Sequence, residues 1–178
     1  MPLPLGHAAI GLAAAETIQP RQEQSSRWGY FIFVALMANL PDLDILFGLV
    51  LQGNGAAYHR GPTHSLIFAL LCGYLASHAW RLRPGIPKVG FGLCSLLIFS
   101  HVAADMLLTA TPVSLLWPLE IHWSHGQSNW RQIFDMVLFQ SIQDAGIVIA
   151  ALIYAAALRN IRMILRGESL FAKAIRKN

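Results

Sequence analysis

Apolar residues run almost unbroken over Leu5–Ile18, Trp28–Leu51, Ser65–Trp80, Val89–Ala110 and Met136–Leu158, with polar residues gathered between these stretches. At a rise of 1.5 Å per residue about twenty residues cross a bilayer core, so the second, fourth and fifth stretches are long enough to span as helices. The third reaches that length with its flanks. The first is marginal, and either spans or enters as a re-entrant segment packed against the bundle. The pattern predicts an all-α fold: an integral membrane bundle of four to five apolar helices over residues 1–158, followed by a basic tail over residues 159–178. No internal repeat or low-complexity segment interrupts it.

Composition strengthens the membrane reading, because 55% of the 178 residues are hydrophobic and 12% are charged, whereas soluble domains carry roughly 25% charged residues. The formal charge of +4 does not predict a nucleic-acid partner, since the basic residues flank apolar stretches instead of forming a face of their own. Eleven of the thirteen Lys and Arg residues fall in alternate connections: Arg21, Arg27, Arg81, Arg83, Lys88 and the six from Arg159 to Lys177. Arg60 and Arg131 occupy the others. By the positive-inside rule the rich side is cytoplasmic, in the inner (plasma) membrane of a bacterial or archaeal cell, and the tail is cytoplasmic. Apolar residues among the tail's cations suit an interfacial amphipathic helix or a solvated segment equally. No Lys or Arg precedes the first apolar stretch, so it is expected to remain on the protein and not to be removed as a signal peptide. Cys72 and Cys94 lie within apolar stretches and read as packing residues.

Five short segments hold the unusual residues: Gly6-His7, Asn39 to Asp44, His59 to Ser65, Ser100 to Asp105, and Glu120 to His125. An Asp at a membrane-helix centre costs about 2.5–3.5 kcal/mol even on insertion-based scales, so such residues need partners or a function. The topology carries Asp42, Asp44, His101 and Asp105 to the outer halves of their helices. It puts His59 and His64 at the next outer connection, and His7 at the outer end of the first stretch if that stretch spans. His101 and Asp105, four apart, share one helical face, as two ligands of one metal would. Asp42 and Asp44 both point inward only where the backbone is broken, and Pro41 supplies a reason for a break.

Imidazoles and carboxylates without thiolates favour a divalent ion, zinc foremost, with manganese or iron as alternatives, and five to seven such groups suit one or two ions. Asp42 and His59 are ligands or partners of their neighbours. Arg60 offers a fork for phosphate or an anchor at the headgroups. His78, at the other membrane face, reads as a hydrogen-bonded core residue. Glu120, His122 and His125 read first as a polar loop, Asp135 as structural, and Asp144, with Gln140 and Gln143, as a polar patch that bonds across helices.

Together, Gly6-His7-x3-Gly11, Leu40-Pro41-Asp42-Leu43-Asp44, His59-Arg60-Gly61-Pro62-Thr63-His64-Ser65 and His101-x3-Asp105 resemble the YdjM family of bacterial and archaeal inner-membrane proteins, described as metal-dependent hydrolases and in some cases associated with LexA regulation. The resemblance runs from about Pro4 to about Glu120. It implies His7, Asp44, His64, His101 and Asp105 as metal ligands, with Asp42 and His59 close by. The order of these residues is also similar to the zinc-dependent phospholipase C and nuclease group, whose three ions cleave phosphodiesters. This chain lacks that group's second His-x3-Glu or His-x3-Asp pair, which counts against a three-metal site.

Three functions follow as expectations. The first is a membrane-bound metal-dependent hydrolase acting on a lipid or lipid-linked phosphoester or other ester, with Asp42 or His59 as base and Arg60 holding phosphate. The second is a cation or proton transporter, although polar residues are sparse toward the cytoplasmic half. The third is a non-catalytic bundle stapled by its metal.

Overall fold

A computed structural model describes residues 3–18, 27–109, 111–121, 128–139 and 141–165. Seven α-helices lie among the described residues: α1 (Pro4–Ile18), α2 (Arg27–Ala38), α3 (Leu43–Gln52), α4 (Leu66–His78), α5 (Phe91–Leu108), α6 (Trp130–Phe139) and α7 (Ser141–Leu165). Two 3-10 turns, Pro62–His64 and Ala79–Arg81, flank α4. No strand occurs among the described residues.

The apolar stretches become helices with local punctuation. Phe91–Leu108 and Ile142–Leu165 are long and apolar enough to cross a membrane. The second stretch is not one straight helix: α2 and α3 meet at a 58° bend, the geometry of a broken span or of a re-entrant loop. Pro41 has no N–H to continue the ladder, and Asn39 takes up carbonyls at the break, its Nδ2 donating to Ala35 O at 2.8 Å and Pro4 O at 3.1 Å. Gly53, at φ 66°, ends α3 with its N–H on the Gly48 and Leu49 carbonyls, a left-handed stop that suits glycine. Ser65 starts α4, its Oγ accepting from Phe68 N at 3.1 Å. The fifth stretch divides into α6 and α7, and α7 continues past Arg159 to Leu165. Residues 166–178, most of the expected tail, lie outside the described residues.

Helix α5 is the hub, packing on α1, α2 and α4, while α7 packs along α1. The core joins Ala15, Phe33, Val34, Val89, Leu93, Cys94 and Leu97. Small residues set how closely the helices approach. A Cβ at Gly11 would meet the Ala38 Cβ at 2.6 Å, and one at Gly73 would overlap Ser95 of α5. Both cysteines are free, Cys94 buried and Cys72 half-buried. Outward-facing Phe47, Val50, Leu51, Leu71, Leu75, Leu107, Leu152 and Ile153 are exposed, a surface suited to hydrocarbon and not to water.

Helices α1 and α7 run parallel and are clamped at both ends. Near the start of each, Asp144 accepts from the Leu3 and Gly6 N–H groups. Near the other end, Glu16 pairs with Arg159 and Arg162 at 3.2 Å each.

Candidate metal centre

The break at Pro41, the loop before α4 and the C-terminal half of α5 converge with the start of α1, bringing eight of the singled-out residues together. His7, His64, His101 and Asp105 are 0% exposed, Asp44 is 2% exposed, and Arg60 and His59 are also buried. Asp42, whose side chain is 15% exposed, is the most open of the acids. Three overlapping groups have ligand atoms within 4.8 Å of one another: His7, His101 and Asp105; Asp42, His64 and His101; Asp44, His59 and His64.

Hydrogen bonds on the outer edges of the rings decide what faces inward. His101 Nδ1 donates to the Ala38 carbonyl at 2.8 Å, where α2 ends. A neutral ring bonded this way carries its proton on Nδ1, so Nε2 presents a lone pair. That Nε2 lies 3.2 Å from Asp42 Oδ1. His64 Nδ1 lies 3.2 Å from Asp44 Oδ2, leaving its Nε2 at 3.7 Å from Asp42 Oδ1 and 3.8 Å from Asp105 Oδ2. His7 Nε2 is 3.5 Å from Asp105 Oδ1, and its ring stacks on His101 at 3.7 Å between centroids.

These inner atoms share one property. His7 Nε2, Asp42 Oδ1, His64 Nε2, His101 Nε2 and both Asp105 oxygens are buried with no hydrogen-bond partner among the described residues, while Asp105 Oδ2 has its ion pair with Arg60. Buried polar atoms are rarely left so, and lone pairs that face one another repel unless a cation lies between them. Around a tetrahedral zinc ion neighbouring ligand atoms stand about 3.3–3.4 Å apart, and the gaps here run from 3.2 to 3.8 Å. The donor set therefore fits a divalent ion.

Asp44 is bonded on every side. Oδ1 faces His59 Nδ1 at 3.1 Å, and Oδ2 accepts from Thr63 Oγ1 at 2.5 Å and the Arg60 N–H at 3.2 Å. Those bonds hold the His59–Ser65 loop against the start of α3. They also hold Arg60 at φ 66°, a left-handed conformation uncommon for a side-chain-bearing residue. The Arg60 guanidinium is turned inward, pairing with Asp105 Oδ2 at 3.2 Å and donating to Thr109 Oγ1 and the Thr111 carbonyl.

Charge points the same way as geometry. Asp42, Asp44 and Asp105 against Arg60 leave two negative charges if the imidazoles are neutral, and burial pushes the His64 imidazole below its ordinary pKa. A net charge of this size in a dry interior calls for a counter-ion, and one divalent ion neutralises it.

The remaining candidates lie elsewhere. Glu120 is exposed, and His122 and His125 lie outside the described residues. Asp135 is exposed on α6. His78 is hydrogen-bonded as expected, Nδ1 to the Tyr74 carbonyl at 3.0 Å, but it is half-buried near the end of α4 and not part of the core. Thr63, Thr109 and the Ala38 carbonyl were not singled out from sequence. Thr63 sits inside the His59–Ser65 motif, but a backbone carbonyl has no signal in the residue string.

The YdjM inner membrane protein model matches residues 1–169. The chain belongs to this family. It is also similar to inner membrane protein YbcI of Escherichia coli (strain K12), at 34% identity over 132 residues, covering 66% of this chain and 68% of that protein. No solved structure matches. With its apolar helices, membership in the YdjM family fits a multi-pass inner-membrane protein, and the buried His/Asp cluster makes it one able to coordinate a metal ion.

Proposed function

We propose that this chain is a membrane-embedded, metal-dependent hydrolase that cleaves a phosphoester or other ester of a lipid, with its centre toward the outer face. The observation that carries this is the convergence of unpartnered imidazole nitrogens and carboxylate oxygens in a buried pocket. His7, His64, His101 and Asp105 would hold the ion, and Asp42, with Oδ1 free and facing two of the imidazoles, joins them. We assign Asp44 to orienting His59 and His64 rather than to the ion itself, because its oxygens are already taken by bonds within the loop. Zinc suits this nitrogen and oxygen set, as do manganese and iron. When bound, such an ion supplies Lewis acidity toward a phosphoryl or acyl oxygen and lowers the pKa of water.

His59 is the base in this scheme. Its Nδ1 rests on Asp44, while Nε2 has no partner among the described residues. An imidazole fixed by a carboxylate on one nitrogen can accept a proton on the other. With side-chain exposures of 11% and 15%, His59 and Asp42 form the accessible edge of the centre. Exposed Leu43 and Leu46 continue from that edge along α3, an apolar approach for a lipid chain. Arg60 offsets the Asp105 charge and leaves Nε for an incoming anionic oxygen. The test is release of product from phospholipid in mixed micelles by purified protein. Metal-dependent turnover that disappears in His59→Ala supports the proposal, and metal flux into proteoliposomes without turnover contradicts it.

A further inference from the structure

His7 differs from the other histidines of the centre in having no bond that orients its ring. Neither Nδ1 nor Nε2 has a hydrogen-bond partner among the described residues, whereas His101 is tied to Ala38 and His64 to Asp44. What remains is the stack on His101 and the position of its own backbone. The depth and rotation of α1 therefore set where His7 Nε2 falls relative to Asp105.

A residue 137 positions away grips the start of that helix. Asp144, 4% exposed on α7, accepts from Leu3 N at 2.7 Å and from Gly6 N at 3.0 Å through Oδ1, and Oδ2 also lies 3.0 Å from Gly6 N. Gly6 immediately precedes His7. A carboxylate against the N–H groups of a helix start gains charge-assisted bonds and a favourable dipole, and in an apolar setting the alternative is an unpaired charge. Such a bond is directional, so it fixes the position of α1 along α7 more sharply than the apolar contacts between them. Asn39 adds a bond to the Pro4 carbonyl. The Glu16 clamp fastens the far end of α1, about two and a half turns from His7.

We propose that Asp144 is a positioning residue for the metal centre, setting through Leu3 and Gly6 the place at which α1 presents His7 to Asp105 and His101, and that it does so on the ligand role given to His7 above. The experiment is cobalt(II) titration of the full-length protein in detergent, read by the visible ligand-field spectrum and by affinity. It compares the parent with His7→Ala, Asp144→Ala, Asp144→Asn, the His7→Ala/Asp144→Ala double variant and Glu16→Gln. Partners that orient metal ligands typically contribute about 10–100-fold in affinity. Asp144→Ala is expected to weaken cobalt by that factor, to shift the spectrum toward that of His7→Ala, and to cause no further loss in the His7→Ala background. Asp144→Asn keeps an acceptor and is expected to restore part of the affinity, which also covers the case in which the alanine variant does not fold. Glu16→Gln is expected to leave the spectrum unchanged. An Asp144 variant that melts earlier but keeps the parent's spectrum and affinity overturns the proposal, as do losses that multiply in the double variant. A parent that binds no cobalt overturns the metal reading itself, and this inference with it. A parent whose cobalt spectrum ignores His7→Ala removes only the His7 assignment and the role of Asp144.

Discussion

His101 Nε2 lies 3.2 Å from Asp42 Oδ1, while the same ring spends its Nδ1 proton on the Ala38 carbonyl at 2.8 Å. Two lone pairs held this close in a buried site need a cation between them or a second proton on the ring. With further unpartnered atoms from His7, His64 and Asp105 pointing to the same space, a metal accounts for all of them at once. A single imidazolium accounts for only one pair.

A metal bound only by the folded state must stabilise it. At a free concentration one hundred times its Kd the gain is about 2.7 kcal/mol. A chelator is therefore expected to lower the melting temperature in detergent and added zinc to restore it, as followed by tryptophan fluorescence. A transition indifferent to both would contradict a resident ion.

Asp42 and Asp44 stand two residues apart and should fail differently. Asp42→Asn removes a charged oxygen facing two imidazoles and is expected to lower zinc affinity most. Asp44→Asn leaves the inner atoms in place but loosens His59 and His64, with an expected loss of about 10–100-fold. The discriminating sign is backbone order: Asp44→Asn should speed hydrogen exchange across residues 59–65, and Asp42→Asn should not.

His59→Ala is expected to retain metal and to lose about 10²–10⁴ of turnover, the usual range for a removed general base. Loss of the metal along with activity would instead make His59 a ligand. Metal analysis and rate measurement on the same sample distinguish the two.

Gly11 faces Ala38 so closely that an added Cβ would come within 2.6 Å of the Ala38 side chain. Gly11→Ala is expected to cost about 1–3 kcal/mol by overpacking. Because Ala38 also supplies the carbonyl that orients His101, it should weaken metal binding as well. A chelator-sensitive melting curve for this variant measures both effects.

Much of this arrangement was legible in the residue string. The apolar stretches correspond closely to α1, α4 and α5. Pro41 signalled the break between α2 and α3, because a missing N–H acts locally. The convergence of His7, Asp42, Asp44, His59, His64, His101 and Asp105 followed from counting which end of each stretch they occupy. The division of labour between Asp42 and Asp44 was not legible, since it depends on how the His59–Ser65 loop folds back onto α3. Nor was the grip of Asp144 on Leu3 and Gly6. The string marks Asp144 as a polar residue in an apolar stretch, but its partners are backbone N–H groups at the far end of the chain, and those carry no side-chain signature.

The most direct test is metal content by elemental analysis of the purified protein beside its His101→Ala/Asp105→Ala variant, both monodisperse in one detergent. The account predicts one divalent ion per chain in the parent and none in the variant. Equal metal in both, or none in either, would contradict it.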